Sequence, residues 1–175
     1  FAHVVSGDEK GTTYELPYLG KFSWENSVAH PHTGDKTIVV GLDDSTPGQI
    51  YVYVGEKQRK GNAVEQAGLQ YGRLYGVKVI DGGANYGGAA VPIESSGAIS
   101  GNFVLEDVTD VATGSGSVLQ STSVTRQITG FARPEDGSWD TRDPNAFYFV
   151  TTGATVGGKT QTSRLYKLTF DSLRN

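Results

Sequence analysis

Glu25–Gly55 reads ENSVAHPHTGDKTIVVGLDDSTPGQIYVYVG. Glu25–His30 is a short stretch with apolar residues at its centre, and Pro31–Lys36 (PHTGDK) is a turn whose glycine suits positive φ. Thr37–Asp43 (TIVVGLD) is dense in β-branched residues and predicts a buried strand. Ser45–Gly48 (STPG) turns the chain again, and Gln49–Gly55 (QIYVYVG) alternates as a strand does. Together they predict a three-stranded antiparallel meander.

A second stretch repeats the pattern. With Glu25 placed on Glu135, the turn PHTGDK falls on Thr141–Ala146 (TRDPNA) and Ile38–Val40 falls on Tyr148–Val150, without a gap. Gln49–Val54 then matches Arg164–Thr169 after a five-residue insertion within Gly153–Thr162. Few positions are identical, so the match is one of pattern. Repeated units of about 40 residues with three or four strands are the mark of a β-propeller. The units span about 24–55 and 134–171, and the insertion-rich stretch 56–133 between them leaves room for one or two decorated blades.

Outward from these units the signals weaken. Phe1–Thr12 is polar, and Thr13–Trp24 can supply one strand. Arg73–Ile80 and Asn102–Asp107 are strand-like, Asp81–Gly101 is a Gly/Ala/Ser-rich loop or insertion, and Thr113–Ser117 (TGSGS) is a flexible link. The best helical candidate is Gly61–Gly72, and it is weak. With 24 glycines, nine Tyr, seven Phe and two Trp, the composition suits short strands and many turns. The expected fold is all-β: one partial propeller domain over 1–175, about three antiparallel blades with loop insertions, incomplete by itself. A propeller closes with about four to eight blades, and an open set leaves unpaired edges. The remaining blades are therefore expected outside this segment. An antiparallel sandwich explains strands and turns equally well; the aligned glutamates tip the reading to the propeller.

The net charge is −4 and no basic cluster exceeds Lys57–Lys60, which argues against nucleic acid as a partner. With no Cys there are no disulfides, thiolate zinc sites or Cys nucleophile. No apolar run approaches the ~20 residues of a membrane span. Methionine is absent even at position 1, so the chain is expected to begin after a cleavage or inside something longer.

Glu25 and Glu135 head the first strand of each unit. In a propeller that strand lines the central channel, so equivalent carboxylates converge and repel unless a cation lies between them. They are candidate oxygen ligands for Ca²⁺, Mg²⁺, Mn²⁺ or iron, or else surface residues in two turns. Arg133, in ARPEDG, is a candidate to hold a phosphate oxygen pair, or else an ion-pair partner of Glu135 or Asp136. Asp43 and Asp44 suit turn chemistry better than ligation, and so do His30 and His32 around Pro31. No GxSxG elbow, P-loop, HExxH or EF-hand loop is present, and Gly82–Gly88 (GGANYGG) lacks the context of a phosphate cradle.

Leu16–Gly55, Ala132–Thr152 and Ser163–Asp171 (SRLYKLTFD) resemble the PhoX-type alkaline phosphatases and their relatives, above all in the RPEDG-x-W-D run and the strand pair after it. The resemblance implies an irregular β-propeller and an exported bacterial phosphomonoesterase, secreted, periplasmic or at the cell surface, sent out by the twin-arginine route. It implies calcium and iron held by carboxylates at the channel mouth, with Glu25 and Glu135 as metal ligands, Arg133 as a phosphate contact and a small phosphorylated substrate. Two other readings stay open: a non-catalytic, calcium-stabilised extracellular propeller for binding or surface structure, and another propeller hydrolase, phytase-like or lactonase-like.

Overall fold

In a computed structural model of the chain, which describes residues 1–32, 34–81, 101–156 and 159–173, both repeat units form antiparallel sheets. The chain opens with a two-strand ribbon, β1 (Ala2–His3) against β2 (Thr13–Tyr14), and a 3₁₀ turn at Pro17–Leu19. The predicted meander follows as β3 (Trp24–Ala29), β4 (Lys36–Asp43) and β5 (Ile50–Glu56). After a short helix α1 (Ala63–Gln66), β6 (Gly72–Val79) and β7 (Phe103–Asp107) extend the same sheet, giving the order β3-β4-β5-β6-β7. Helices α2 (Thr109–Ala112) and α3 (Gly116–Thr125) lead to the second sheet. Its strands are β8 (Pro134–Trp139), β9 (Ala146–Thr151) and β12 (Arg164–Thr169), in the order β12-β9-β8. The hairpin of β10 (Ala154–Val156) and β11 (Lys159–Gln161) fills the β9–β12 connection.

Side chains alternate across a strand, so an apolar run without alternation in polarity must be covered on both faces. β4 and β5 are such strands. Val40, Leu42, Ile50 and Val52 point to one side and pack on Phe147, Phe149, Tyr166 and Leu168 of the second sheet. Val39, Tyr51 and Tyr53 point to the other side, beneath Leu19, Val108, Ala112, Leu119 and Ile128. Buried tyrosine hydroxyls need partners. Tyr51 Oη pairs with Ser123 Oγ at 2.8 Å, and Tyr53 Oη donates to Gly68 O at 3.0 Å. Burial pushes both phenols up, that of Tyr53 to about 12.

The sequence reading and the structure part at identifiable places. The stretch 56–133, where separate blades had room, adds β6 and β7 to the first sheet and lays helices across its face. Thr113–Ser117 links α2 to α3 as a tight junction: Thr113 is the C-cap of α2, the Ser115 hydroxyl caps Val118 N at the start of α3, and Gly116 lies against Lys21 O, where a Cβ would come within 2.8 Å. α3 carries too many Ser and Thr to show a helical apolar stripe. Within Gly61–Gly72 only one turn is helical, fixed by a capping box between Asn62 and Glu65. Thr13–Trp24 supplies only the two-residue strand Thr13–Tyr14 and, at its end, the first residue of β3, because Pro17 starts a 3₁₀ turn and Gly20 takes φ 86°. The expectation for Gly82–Gly88 lies outside the described residues, and that for Asp81–Gly101 does so except at Asp81 and Gly101.

The repeat itself needs one adjustment. Trp24 pairs with Asp43 and Pro134 with Thr151, so the central strands correspond two residues away from the gap-free alignment. The third strands correspond as aligned, since Ile50 pairs with Leu42 and Leu165 with Val150. A shift of two leaves every side chain on its face; a shift of one would have inverted them all. Phe147 is fully buried, 5.0 Å from the Trp139 ring. Phe147→Ala is expected to cost about 3–5 kcal/mol in urea denaturation.

Candidate functional site

β3 and β8 are edge strands of their own sheets and lie side by side. Asn26 Nδ2 donates to Asp136 Oδ1 at 2.9 Å across them. Each strand has a bulge at its head, between Trp24 and Asn26 in β3 and between Pro134 and Gly137 in β8. A bulge breaks the ladder locally and re-aims the extra residue. Glu25 occupies the first bulge and Glu135 the second. Nothing in either sequence announces a bulge; only the repeat alignment puts the two glutamates on one feature.

Arg133 stands just before the second bulge with φ 59°, a left-handed conformation rare outside glycine. Its backbone is held at both ends. The N–H donates to Ser45 O and the carbonyl accepts from Thr152 N, each at 3.1 Å. Nearby, Gly48 and Phe131 exchange backbone hydrogen bonds at 2.9 and 2.7 Å. The Ser45–Gly48 turn of the first unit thereby fixes the entry into the second.

The Arg133 guanidinium grips Asp44 with Nε to Oδ1 at 2.9 Å and Nη2 to Oδ2 at 3.1 Å. Nη2 also lies 3.1 Å from Glu135 Oε1, which accepts from Thr152 Oγ1 at 2.6 Å. The Asp44 hydrogen bond holds Arg133 protonated more firmly than usual, and the charges of Glu135 and Glu25 add to it. Arg133, Glu25, Glu135 and Asp44 therefore share one electrostatic cluster. The ion pair with Glu135 that the sequence suggests for Arg133 is present, and the Ser45–Gly48 turn brings Asp44 in as a second, two-pronged partner.

The neighbours have structural duties. Asp43 is 2% exposed and accepts from Ser23 N at 3.2 Å; burial pushes its carboxyl up. His32 N donates to His30 Nδ1 at 3.0 Å, so Nε2 carries the proton and donates to Pro144 O at 2.6 Å. His30 thus bridges the units, edge-on to Trp139 at 4.5 Å. Both histidine nitrogens are spent, as the turn reading expects.

Calcium or iron needs several oxygen or nitrogen ligands converging on one point. Among the described residues no group of three or more His, Asp or Glu is placed to hold a metal ion. One oxygen of Glu135 is engaged by Thr152 and Arg133, and the guanidinium itself occupies the cationic place among the carboxylates. These residues do not by themselves fit a metal centre.

Neither a protein-family model nor a curated protein matches the chain. Among solved structures, PhoX of Pseudomonas fluorescens in complex with vanadate, a transition state analogue, superposes with a TM-score of 0.55 at 20% identity. The match covers 85% of this chain and 26% of PhoX. The chain shares the PhoX fold. The all-β, partial-propeller expectation stands on that likeness and on the two stacked sheets. At this identity the PhoX likeness carries fold and not residue roles, and the chain spans about a quarter of PhoX. No helix among the described residues is long and apolar enough to cross a membrane.

Two outcomes test the geometry of the cluster. A left-handed backbone costs a side chain roughly 1–2 kcal/mol, so Arg133→Gly should be more stable than Arg133→Ala by about that amount in chemical denaturation. For Asp43 the native state holds its proton more tightly than the unfolded chain does. Its stabilising effect is full below the ordinary carboxylate value of 3.8 and is lost as pH rises through the raised native pKa. Asp43→Asn should therefore gain on the parent protein as pH rises from about 3 to 7, read as urea midpoints.

Proposed function

We propose that the chain is part of an exported, PhoX-type phosphomonoesterase in which Arg133 contacts the phosphate of a small substrate. The observation that supports this most is the strained backbone of Arg133, pinned from both sides at the junction of two blades. Strain of this kind costs of order 1–3 kcal/mol and concentrates where a side chain must be aimed. An ion pair as exposed as Arg133–Asp44 adds little stability and does not by itself account for that strain.

The chemistry follows from the charges. Asp44 fixes the guanidinium plane through Nε and Nη2, leaving Nη1 as the edge that neither carboxylate uses. An arginine so oriented offers planar donors to a phosphate oxygen without reorganising. One guanidinium faces Asp44, Glu135 and Glu25, so a phosphate dianion needs further positive charge nearby. Calcium and iron are the metals that the resemblance implies. Glu25 and Glu135 would then be two of their ligands, with the rest of the set supplied from outside residues 1–175. A second reading draws on the same surplus of carboxylates: a calcium-stabilised propeller without turnover, with Arg133 a tie between blades.

The test is the metal content of the intact protein, with p-nitrophenyl phosphate hydrolysis before and after chelation. Hydrolysis should be lost on chelation and in Glu25→Gln and Glu135→Gln. Arg133→Ala should lower kcat/KM by about 10²–10³-fold, the scale for one donor to transition-state charge. Bound calcium without hydrolysis would establish the second reading, and no bound metal would exclude both.

A further inference from the structure

β4 begins, β5 ends and β6 begins at the end of the first sheet opposite the Ser45–Gly48 turn. A polar cleft of about 890 Å³ opens there, between the strand ends and α1. That volume lies in the range of small-molecule sites. β5 is 7 residues long, so at about 3.3 Å per residue the cleft is roughly 20 Å from the Arg133–Asp44 grip.

The cleft is stitched into the sheet by the loop that forms it. Lys57 N donates to Asp35 O at 2.8 Å, Tyr53 Oη donates to Gly68 O at 3.0 Å, and Thr37 Oγ1 donates to Ala67 O. A Cβ at Gly55 would collide with Gly68 O, so glycine is what lets the loop lie this close to β5. The α1 wall is fixed by the Asn62–Glu65 capping box. Glu9 braces it from the β1–β2 ribbon, where Oε2 accepts from Ala63 N at 3.1 Å and from Tyr14 Oη at 2.8 Å. A cleft built in advance spares its ligand the cost of ordering it.

The lining narrows the chemistry of that ligand. Lys36, Lys60 and Arg73 stand against Glu56 and Glu65, so the charges nearly cancel and a strongly anionic chain gains little there. Arg73 is already engaged by Asp107, and Glu65 by Asn62 N. Among the described residues, the Gln70 amide and the Lys60 ammonium have no hydrogen-bond or ion-pair partner. Tyr71 lies at the rim, 64% exposed, with Tyr18 edge-on to it at 6.0 Å. Its ring is apolar area left in water until a ligand covers it. A sugar ring suits this combination. It has an apolar C–H face to lie on an aromatic ring, and a rim of hydroxyls that both donate and accept.

We propose that the cleft binds a neutral oligosaccharide. Tyr71 is the platform for one sugar ring, and Gln70 and Lys60 hydrogen-bond its hydroxyls. The site is separate from the Arg133 cluster and holds the sugar chain without reacting with it.

The experiment is calorimetric titration of the full-length protein with maltohexaose, cellohexaose, xylohexaose, mannohexaose and chitohexaose. At least one is expected to bind with a Kd of about 10 μM to 1 mM. Tyr71→Ala should weaken that binding about tenfold or more, with the urea midpoint unchanged. Gln70→Ala leaves the rim ring in place and reads the same site through its hydrogen bonds, with a loss of the same order. No binding by any of the sugars at ~5 mM, or binding that survives both substitutions, would overturn the inference. Tighter binding of a heparin hexasaccharide than of every neutral one would overturn it too, since that is the behaviour of an anion site. Phosphate hydrolysis plays no part in these readouts, so the result stands apart from the proposed function.

Discussion

The packing of Phe147, Phe149, Tyr166 and Leu168 on Val40, Leu42, Ile50 and Val52 is the contact on which the rest of the molecule depends. Neither sheet buries enough by itself: three strands alone, or five with one bare face, leave aromatic and aliphatic area in water, at about 25 cal/mol for each Å². Once the faces meet, the heads of β3 and β8 are side by side, and the Asn26–Asp136 bond, the His30–Pro144 bond and the Arg133–Asp44 grip all fall within reach. Most of these polar ties are exposed and individually weak. They set the register of one blade on the next, while apolar burial supplies the stability.

The meander was legible because its signals are local and agree with one another. TIVVGLD and QIYVYVG carry β-branched and aromatic residues between turns rich in Pro, Gly and Asp, and β4 and β5 fall within a residue or so of those bounds. α3 was not legible, because GSVLQSTSVT owes its helix to burial of Leu119 and Ser123 against the sheet and to the Ser115 cap. That is tertiary context overriding weak propensity. The two-residue offset of the central strand was equally hidden, since pattern alone fixes parity and not register.

At the candidate site, the sequence placed Glu25, Glu135 and Arg133 in equivalent or nearby positions, and in the structure the charges of Asp44, Glu135 and Glu25 act on the Arg133 guanidinium. What sequence could not supply was the bulges and the left-handed backbone. Both are properties of pairing between strands and leave no composition of their own. The partnership of Asp44 with Arg133 was hidden for the same reason: it joins a turn in one unit to the lead-in of the next.

Arg133 and Asp44 are 89 residues apart in sequence. Contacts so distant form only after the intervening chain has been gathered in, since loop closure must be met before such a contact returns anything. Neither the guanidinium nor its glutamate neighbours can hold their places in a chain whose second sheet has not yet docked. The cluster therefore reports on its own assembly: a half-folded molecule presents scattered charges, and only the finished blade pair presents an oriented one.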